Sequence, residues 1–592
     1  MDLCQRPGSF VAKWRQTAYM LAVVAGLGTG AASAQQRSPA TIAPAPSQVA
    51  PPVFAPAPPK TPFVVPETPP RPTAPEGATT LSFFLVDIDV EGEFEDLVAT
   101  RRELAAPLIG KRVTVAELYD FVNKLEQAYV RAGYILARVV VLPQQLESRA
   151  RVKLQVIDGF IERIDASALP PLVQERVSAV LAPLINSRHL MLAKLERALL
   201  IAGETPGLAL NSTLSAGKEV GGTVLILSGT YRPISAVVYV DDAMPKTFGT
   251  WQVVSSVSEN NLFGIGEQIS LQATGFPDRD FFTAFPTRRY LSATAVMPLG
   301  IDGWRFEVGG TNGRTTPRVD PSVASQGLLT QVHVQLAYDV VKHRDYATTF
   351  AARFEANDER LNLLVFTPPI PLYLDRVRPL RGSLDGVWRL RDSGTVFIYG
   401  ATVSQGLNGF GARLAADANP LLPLSRAGAD AVFTKVSGRI EVSQPLPQDF
   451  FVTLMAFGQT SFNKPLLNSE QFDITGAKML SGFTAGALSG DTAWAVRSEL
   501  GRPFAIPVQK WGATLTPYLF AATGERILEN PSVLEIGSVH ASNLGGGVRV
   551  NLASVPADML PNSYGFIEYS RRYITALDLS GWRIFGGWVL SY

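Results

Sequence analysis

The sequence predicts an exported chain in which two small α/β modules precede a transmembrane β-barrel. Three observations carry this. The chain opens on a leader-like segment, its last 360 residues or so alternate apolar and polar side chains with a period of two, and no stretch after residue 35 is apolar for long enough to cross a bilayer as a helix. A spanning helix needs about 18 nearly uncharged residues. Only helices and closed barrels pair every backbone group inside hydrocarbon, so a membrane-embedded chain without such helices must be a barrel. Charged residues make up 18% of the 592, below the roughly 25% of soluble domains. With 53 Lys+Arg against 52 Asp+Glu there is no concentrated positive charge of the kind nucleic acid requires.

Residues 1–34 read as a signal peptide. Arg6, Lys13 and Arg15 precede an apolar stretch from Ala18 to Leu27, too short to span, and Ala32-Ser33-Ala34 offers a small-residue cleavage site. Cys4 is the one cysteine of the chain, so cleavage would remove disulfide, thiolate-metal and cysteine-nucleophile chemistry from the mature protein. Residues 35–80 carry 14 prolines between Pro39 and Pro75 and read as a Pro-rich disordered tether, because proline lacks the amide donor and clashes with a preceding helical turn.

Residues 81–159 form the first α/β module. Phe84, Val86, Ile88 and Val90 alternate as in a half-buried strand. Thr114 and Glu117 have the spacing of a capping box, ahead of Leu118, Phe121, Val122, Leu125 and Tyr129 on one helical face, and Gly133 stops the helix. Strands follow over 134–142 and 151–157, with a weaker helix over 94–108. The same strand, helix, helix, strand, strand order recurs over 160–231. From 232 to 592 the period of two takes over, most clearly where Val332, Val334, Leu336, Tyr338 and Val340 interleave with Gln331, His333, Gln335, Ala337 and Asp339. A soluble sandwich would show the same alternation. Export and inward faces too charged for a dry core favour the membrane. Trp588, Leu590 and Tyr592 lie on one face of the last strand and end the chain on an aromatic residue, like the terminal signal by which outer-membrane barrels are recognised for insertion. Strands of ~9–11 residues with their loops fit this length about sixteen times.

The stretch Gly110-Lys-Arg-Val-Thr114 with Tyr129-Val-Arg-Ala-Gly-Tyr134 resembles the first POTRA domain of the two-partner secretion transporters, the hemolysin/hemagglutinin secretion and activation proteins. Asn260-Asn-Leu-Phe-Gly264-Ile-Gly266 is similar to the first barrel hairpin of that family. A longer match runs from Ser469-Glu-Gln-Phe-Asp-Ile-Thr-Gly476 through Leu480-Ser-Gly-Phe483 to Ser489-Gly-Asp491 and Arg497-Ser-Glu499-Leu500. The resemblance implies two POTRA domains, a 16-stranded barrel and a lid loop near 476–492 that folds into the lumen, with its tip at Leu480, Ser481, Gly482 and Phe483. It further implies a large secreted β-helical adhesin or hemolysin-type partner, the barrel assembly machinery and outer-membrane lipid as partners, an outer-membrane location, and transport of the partner as an unfolded chain.

Two positions depart from the family. An Arg at the lid tip is replaced by Ser481, and in Pro517-Tyr-Leu-Phe-Ala-Ala-Thr-Gly524 the Asp that would meet it is Ala522. The lid-facing wall is thus expected at Phe520, Ala522 and Gly524, with the lid held by Gly482 and Phe483 packing instead of an ion pair. On that view a Ser481→Arg/Ala522→Asp double variant lowers resting conductance, unless the anchor has moved to another pair. Family members often begin with a pore-plugging helix, and the prolines argue against one, leaving occlusion to the lid or to nothing. Other readings of the same residues are an outer-membrane insertase of the same superfamily and a diffusion porin.

No catalytic, cofactor or metal site is expected. His189, His333, His343 and His540 lack ligand spacing, Gly486-Ala-Leu-Ser-Gly490 has the wrong register for a nucleophile elbow, and Ser215-Ala-Gly217-Lys218 lacks the rest of a phosphate-binding loop.

Overall fold

The computed structural model of the protein describes residues 43–51, 73–145, 147–320, 323–508, 511–533, 535–552, 563–575 and 579–592. The expected leader and most of the expected tether lie outside them.

The first module runs β1 (Ser82–Glu91), α1 (Val98–Ala105), β2 (Arg112–Thr114), α2 (Val115–Arg131), β3 (Arg138–Val141) and β4 (Arg149–Ile157), with sheet order β2-β1-β4-β3 and β1 parallel to β4. Thr114 caps α2 as its spacing predicts. The Thr114 hydroxyl accepts from the Glu117 amide at 3.2 Å, and the Thr114 amide donates to the Glu117 carboxylate at 2.7 Å. That backbone bond holds the Glu117 carboxyl below its ordinary range. The buried face of α2 (Leu118, Phe121, Val122, Leu125, Tyr129) packs on the sheet through Leu85, Val152 and Leu154. Residues 134–137 tighten into a turn after Gly133, whose φ is +100°, so β3 is shorter than the alternation suggested.

The second module repeats the topology: β5 (Phe160–Ala168), α3 (Pro171–Leu181), α4 (Leu192–Gly203), β6 (Leu208–Ala216) and β7 (Gly222–Tyr231), in order β5-β7-β6 with β5 parallel to β7. Gly133 and Tyr134 do more than end a helix. The Gly133 carbonyl accepts from the Leu192 amide at 2.8 Å, and the His189 ring of the second module packs tilted against Phe94, 4.1 Å between centres, beside Tyr134. A side chain on Gly159, where the first module ends, would sit 2.0 Å from the Leu136 carbonyl oxygen, so the chain leaves that module through a close backbone contact.

The barrel follows as β8 (Ile234–Asp241), β9 (Gln252–Asn260), β10 (Gln268–Gly275), β11 (Arg288–Leu299), β12 (Trp304–Thr315), β13 (Ser325–Lys342), β14 (Tyr346–Leu363), β15 (Ile370–Val377 and Pro379–Arg389), β16 (Val396–Gly406), β17 (Thr434–Pro445), β18 (Phe451–Thr460), β19 (Thr492–Gly501 and Phe504–Val508), β20 (Trp511–Ile527), β21 (Ser538–Leu552), β22 (Tyr564–Ile574) and β23 (Leu579–Ser591). Both halves of β15 pair with β14 and both halves of β19 with β20, so the described residues form sixteen antiparallel strands. Closure joins β23 to β8 from Gly587 opposite Asp241 to Ser591 opposite Val237, and Tyr592 and Ala236 exchange both backbone hydrogen bonds. Every edge is thereby paired, the one arrangement of strands that hydrocarbon tolerates.

Alternation sorts the wall as predicted. Along β13 Val332, Val334, Leu336 and Val340 are exposed to the lipid side, while His333, Ala337 and Asp339 are buried. Trp304 stacks on Tyr338 near the module end and Tyr569 on Trp582 near the far end, as interfacial girdles require. Trp588, Leu590 and Tyr592 all face outward on the closing strand and its end. At 18 residues each, β13 and β14 exceed the expected strand length, and in the far half of β14 Glu359 reaches the Ser47 amide in the lumen.

The second module is bolted to the barrel's near-side turns. Asn261 donates to the Leu172 carbonyl at 2.8 Å, Arg176 to the Gly300 carbonyl at 2.7 Å, and Arg197 to the carbonyls of Asp302 and Asp339 at 2.9 and 2.8 Å. Burial lowers the Arg176 guanidinium from its ordinary value. Glu204 pairs with Lys342 and Arg305, both of which also reach Asp339. Glu196, fully buried, accepts from the Arg344 amide at 3.0 Å with the His343 ring 3.1 Å away.

Candidate functional site

The lumen holds two segments of the chain itself. The first is the lid, residues 461–491, which leaves the far end of β18 and folds inward before β19. Its base is knotted by Asp491 of the Ser-Gly-Asp motif. Arg426, from the far-side loop before β17, donates to both Asp491 oxygens at 2.6 Å, and the carboxylate also accepts from the Leu466 amide, the Gln471 side chain and the Glu529 amide. Glu470, likewise buried, takes two bonds from Arg381 at 2.9 and 3.0 Å and an ion pair from Lys435 at 2.9 Å. Within the lid, Phe472–Asp473 pairs with Ser489–Gly490, and Asp473 accepts from the Thr475 hydroxyl and the Gly486 amide.

The tip packs on the wall strand that carries Ala522 and Gly524. Ile474, Leu480, Phe483 and Leu488 form one apolar cluster with Ala493, Ala495, Ala522, Val539 and Ala541. These inward alanines make room for the lid. Gly524 completes the cradle, since a Cβ there would lie 3.1 Å from the Ile474 Cδ1 and 2.5 Å from the Trp494 carbonyl oxygen.

The anchor differs from expectation. Gly482 and Phe483 pack, but they do not act alone. The Ser481 hydroxyl donates to Glu568 Oε2 at 2.6 Å and accepts from Arg497 Nη1 at 2.9 Å and from Asn543 at 3.3 Å. Arg497 in turn binds Glu568 Oε1 at 2.6 Å and Glu499 at 2.8 Å, with its guanidinium 3.8 Å from the centre of the Phe520 ring, and the Tyr518 hydroxyl donates to Glu568 at 2.8 Å. The cation therefore sits on the wall at Arg497, with its acid two strands beyond the predicted one, and a serine bridges the lid to that pair. The anchor has moved to another pair. Arg497 appeared in the sequence motif without a role, because alternation marks a side chain as inward and says nothing of a partner 71 residues away.

The second segment is Pro44–Pro51, which the sequence assigned to the tether. This is a correction: its residues 46–49 form one 3₁₀ turn inside the barrel. The prolines exclude an α-helix, as argued, but they suit a short turn with few amides to satisfy. The Tyr290 hydroxyl donates to the Pro46 carbonyl at 2.6 Å, Arg288 to the Val49 carbonyl at 2.7 and 3.1 Å, and the Ser47 amide to Glu359 at 2.9 Å. Tyr373 supports Glu359 at 2.7 Å, and Gln252 accepts from Arg288 at 2.8 Å. The two segments touch. Gln48 donates to Gln471 at 2.9 Å, and a side chain on Gly486 would collide with Pro44. Between them and strands β8, β9, β22 and β23 remains a cavity of about 630 Å³, lined among others by Gln48, Asp241, Arg288, Ser481 and Phe566.

No cluster of three or more metal-ligating side chains occurs among the described residues. The arrangement is one of two chain segments filling a polar-walled tube and held largely by side chains.

Residues 221–532 match the family described as haemolysin secretion/activation protein ShlB/FhaC/HecB, and residues 83–159 match the ShlB-type POTRA domain. Among curated relatives, the heme/hemopexin transporter protein HuxB of Haemophilus influenzae is 23% identical over 453 residues, covering 75% of this chain and 76% of that protein. The hemolysin transporter protein ShlB of Serratia marcescens is 25% identical over 421 residues, 69% of each chain. Among solved structures, CdiB from Escherichia coli shares the fold at a TM-score of 0.67 and 17% identity, covering 88% of this chain and 92% of that one. CdiB from Acinetobacter baumannii does so at 0.59 and 16%, over the full length of both. The family match spans more than half of the chain and agrees with the closed barrel, the inward lid and the α/β modules before them: the chain belongs to the haemolysin secretion/activation protein family, outer-membrane transporters of a secreted partner protein.

Proposed function

We propose that this transporter captures a large β-helical adhesin or haemolysin-type protein in the periplasm and passes it, unfolded, through the barrel to the cell surface. The observation that carries the reading is the content of the lumen. Two segments of the chain close the tube through side-chain ties that can be undone without breaking a single wall hydrogen bond. Both α/β modules act as POTRA domains, and the closing strand with Trp588, Leu590 and Tyr592 is read by the barrel assembly machinery before it meets lipid.

Capture takes place at β6. Strand addition needs a straight, unpaired edge, where main-chain hydrogen bonds supply affinity with little sequence demand. Of the four module edges, β2 and β3 span three and four residues and β5 is interrupted twice by register shifts, whereas β6 pairs with β7 without a break over nine residues. In a strain lacking the transporter, the partner should accumulate in the periplasm. Unchanged surface display there would end the reading.

A further inference from the structure

The residues that hold Pro44–Pro51 in the lumen share one property: they bind its backbone. Arg288 places two donors on the Val49 carbonyl, the Tyr290 hydroxyl takes the Pro46 carbonyl, and Glu359 takes the Ser47 amide. Among the described residues, the segment's side chains bond outward from Gln48 to Gln471 of the lid, which is not wall, while the Ser47 side chain lies beside Glu359. A latch evolved to recognise this sequence alone would read its side chains. A backbone reader accepts any sequence.

The charges sharpen the point. Arg288 is wholly buried and makes no ion pair among the described residues; a peptide carbonyl and the Gln252 side chain satisfy it. A buried guanidinium left without partners is costly, so when the segment departs Arg288 requires another acceptor. Glu359, buried and held by Ser47 and the Tyr373 hydroxyl, then loses the Ser47 amide and is left short of a donor. Three strands further along the inward wall from Arg288, Asn357 Oδ1 is buried without a hydrogen-bond partner, two residues from Glu359 on β14, and offers one more acceptor. A carbonyl, an amide and a second carbonyl in succession are what every polypeptide presents.

We propose that Arg288, Tyr290 and Glu359 form a sequence-tolerant binding site for polypeptide main chain near the far end of the lumen, occupied at rest by Pro44–Pro51 and during transport by the passing chain of the partner. This rests on the transport reading for the identity of that second occupant. The resting segment is thus a placeholder: it keeps buried charge satisfied until a chain in transit takes its place, and the exchange trades one set of backbone bonds for an equivalent set.

The test needs no partner protein, so it stands apart from the secretion phenotype that tests the transport reading. The full chain with residues 44–51 deleted is placed in planar bilayers, and capped peptides are added: Ala-Pro-Ser-Gln-Val-Ala, the same residues in reverse order, and the first peptide with an ester in place of the Ser amide. Both amide peptides should block the current with dwell times within about threefold of each other. The ester, lacking the N–H that Glu359 accepts, should dwell about tenfold less, and Arg288→Gln should shorten every block by tenfold or more. Tyr290→Phe, which removes one hydroxyl, gives the same test with a smaller effect should Arg288→Gln fail to insert. Block by the native order alone, or blocks of unchanged length in these variants, would overturn the proposal.

Discussion

Replacing Ser481 by alanine removes a single oxygen from the lid, and its effect can be worked from the geometry. The hydroxyl makes two close bonds to charged groups, 2.6 Å to Glu568 and 2.9 Å from Arg497, and one longer contact with Asn543 at 3.3 Å. A hydrogen bond to a charged group contributes about 1.5–3 kcal/mol. Arg497 and Glu568 keep each other at 2.6 Å once the hydroxyl is gone, so the loss does not reach twice that figure. Ser481→Ala therefore weakens closure by about 1.5–3 kcal/mol, which shifts the ratio of closed to open lid roughly 10- to 150-fold. Single-channel recording of the full chain with residues 44–51 deleted isolates the lid, and the open fraction should rise by at least tenfold with the single-channel conductance unchanged. An open fraction within twofold of the parent would refute the assignment of Ser481 as the tie between lid and wall.

Further outcomes follow from the same contacts. Asp491→Asn deprives buried Arg426 of its carboxylate and should cost about 3–5 kcal/mol, read as faster protease cleavage of the lid and of the 528–537 loop while the barrel stays intact. The double change Ser481→Arg/Ala522→Asp, expected from the family pattern to tighten the lid, should instead raise resting conductance. Ala522 faces Ile474, Leu480 and Phe483, and the new cation would stand beside Arg497. Glu204→Gln at the junction of module and barrel should cost about 1 kcal/mol or less, since that carboxylate is a third exposed. Hydrogen exchange in α4 should speed up modestly, and raised salt should have a similar effect on the parent.

What the sequence disclosed follows from how far each signal reaches along the chain. A period of two is local, so the inward and outward faces of β13, the capping of α2 and the outward row Trp588, Leu590, Tyr592 were all legible. For the lid and a wall at Phe520, Ala522 and Gly524 the signal was of another kind, a resemblance spread over some thirty residues. The anchor was not legible. Arg497, Glu568 and Ser481 meet only because three distant segments converge in the lumen, and neither composition nor period encodes that convergence. Pro44–Pro51 was missed for a different reason. Proline density rules out a helix, and the step from no helix to no structure overlooked that a 3₁₀ turn opened by Pro46 has few amides to place, so three wall side chains suffice to hold it. Arg176 and Arg197 gave no signal either, being ordinary surface arginines of a helix until the turns at Gly300 and Asp302 come beneath them.

The contact between Gln48 and Gln471, with Pro44 lodged against Gly486, makes the two closures a cooperative pair. Each segment loses a partner when the other leaves, so the departure of one eases that of the other by what the shared contact contributes, about 0.5–1.5 kcal/mol for one neutral hydrogen bond. A chain strong enough to dislodge one segment has thereby already done part of the work of clearing the other.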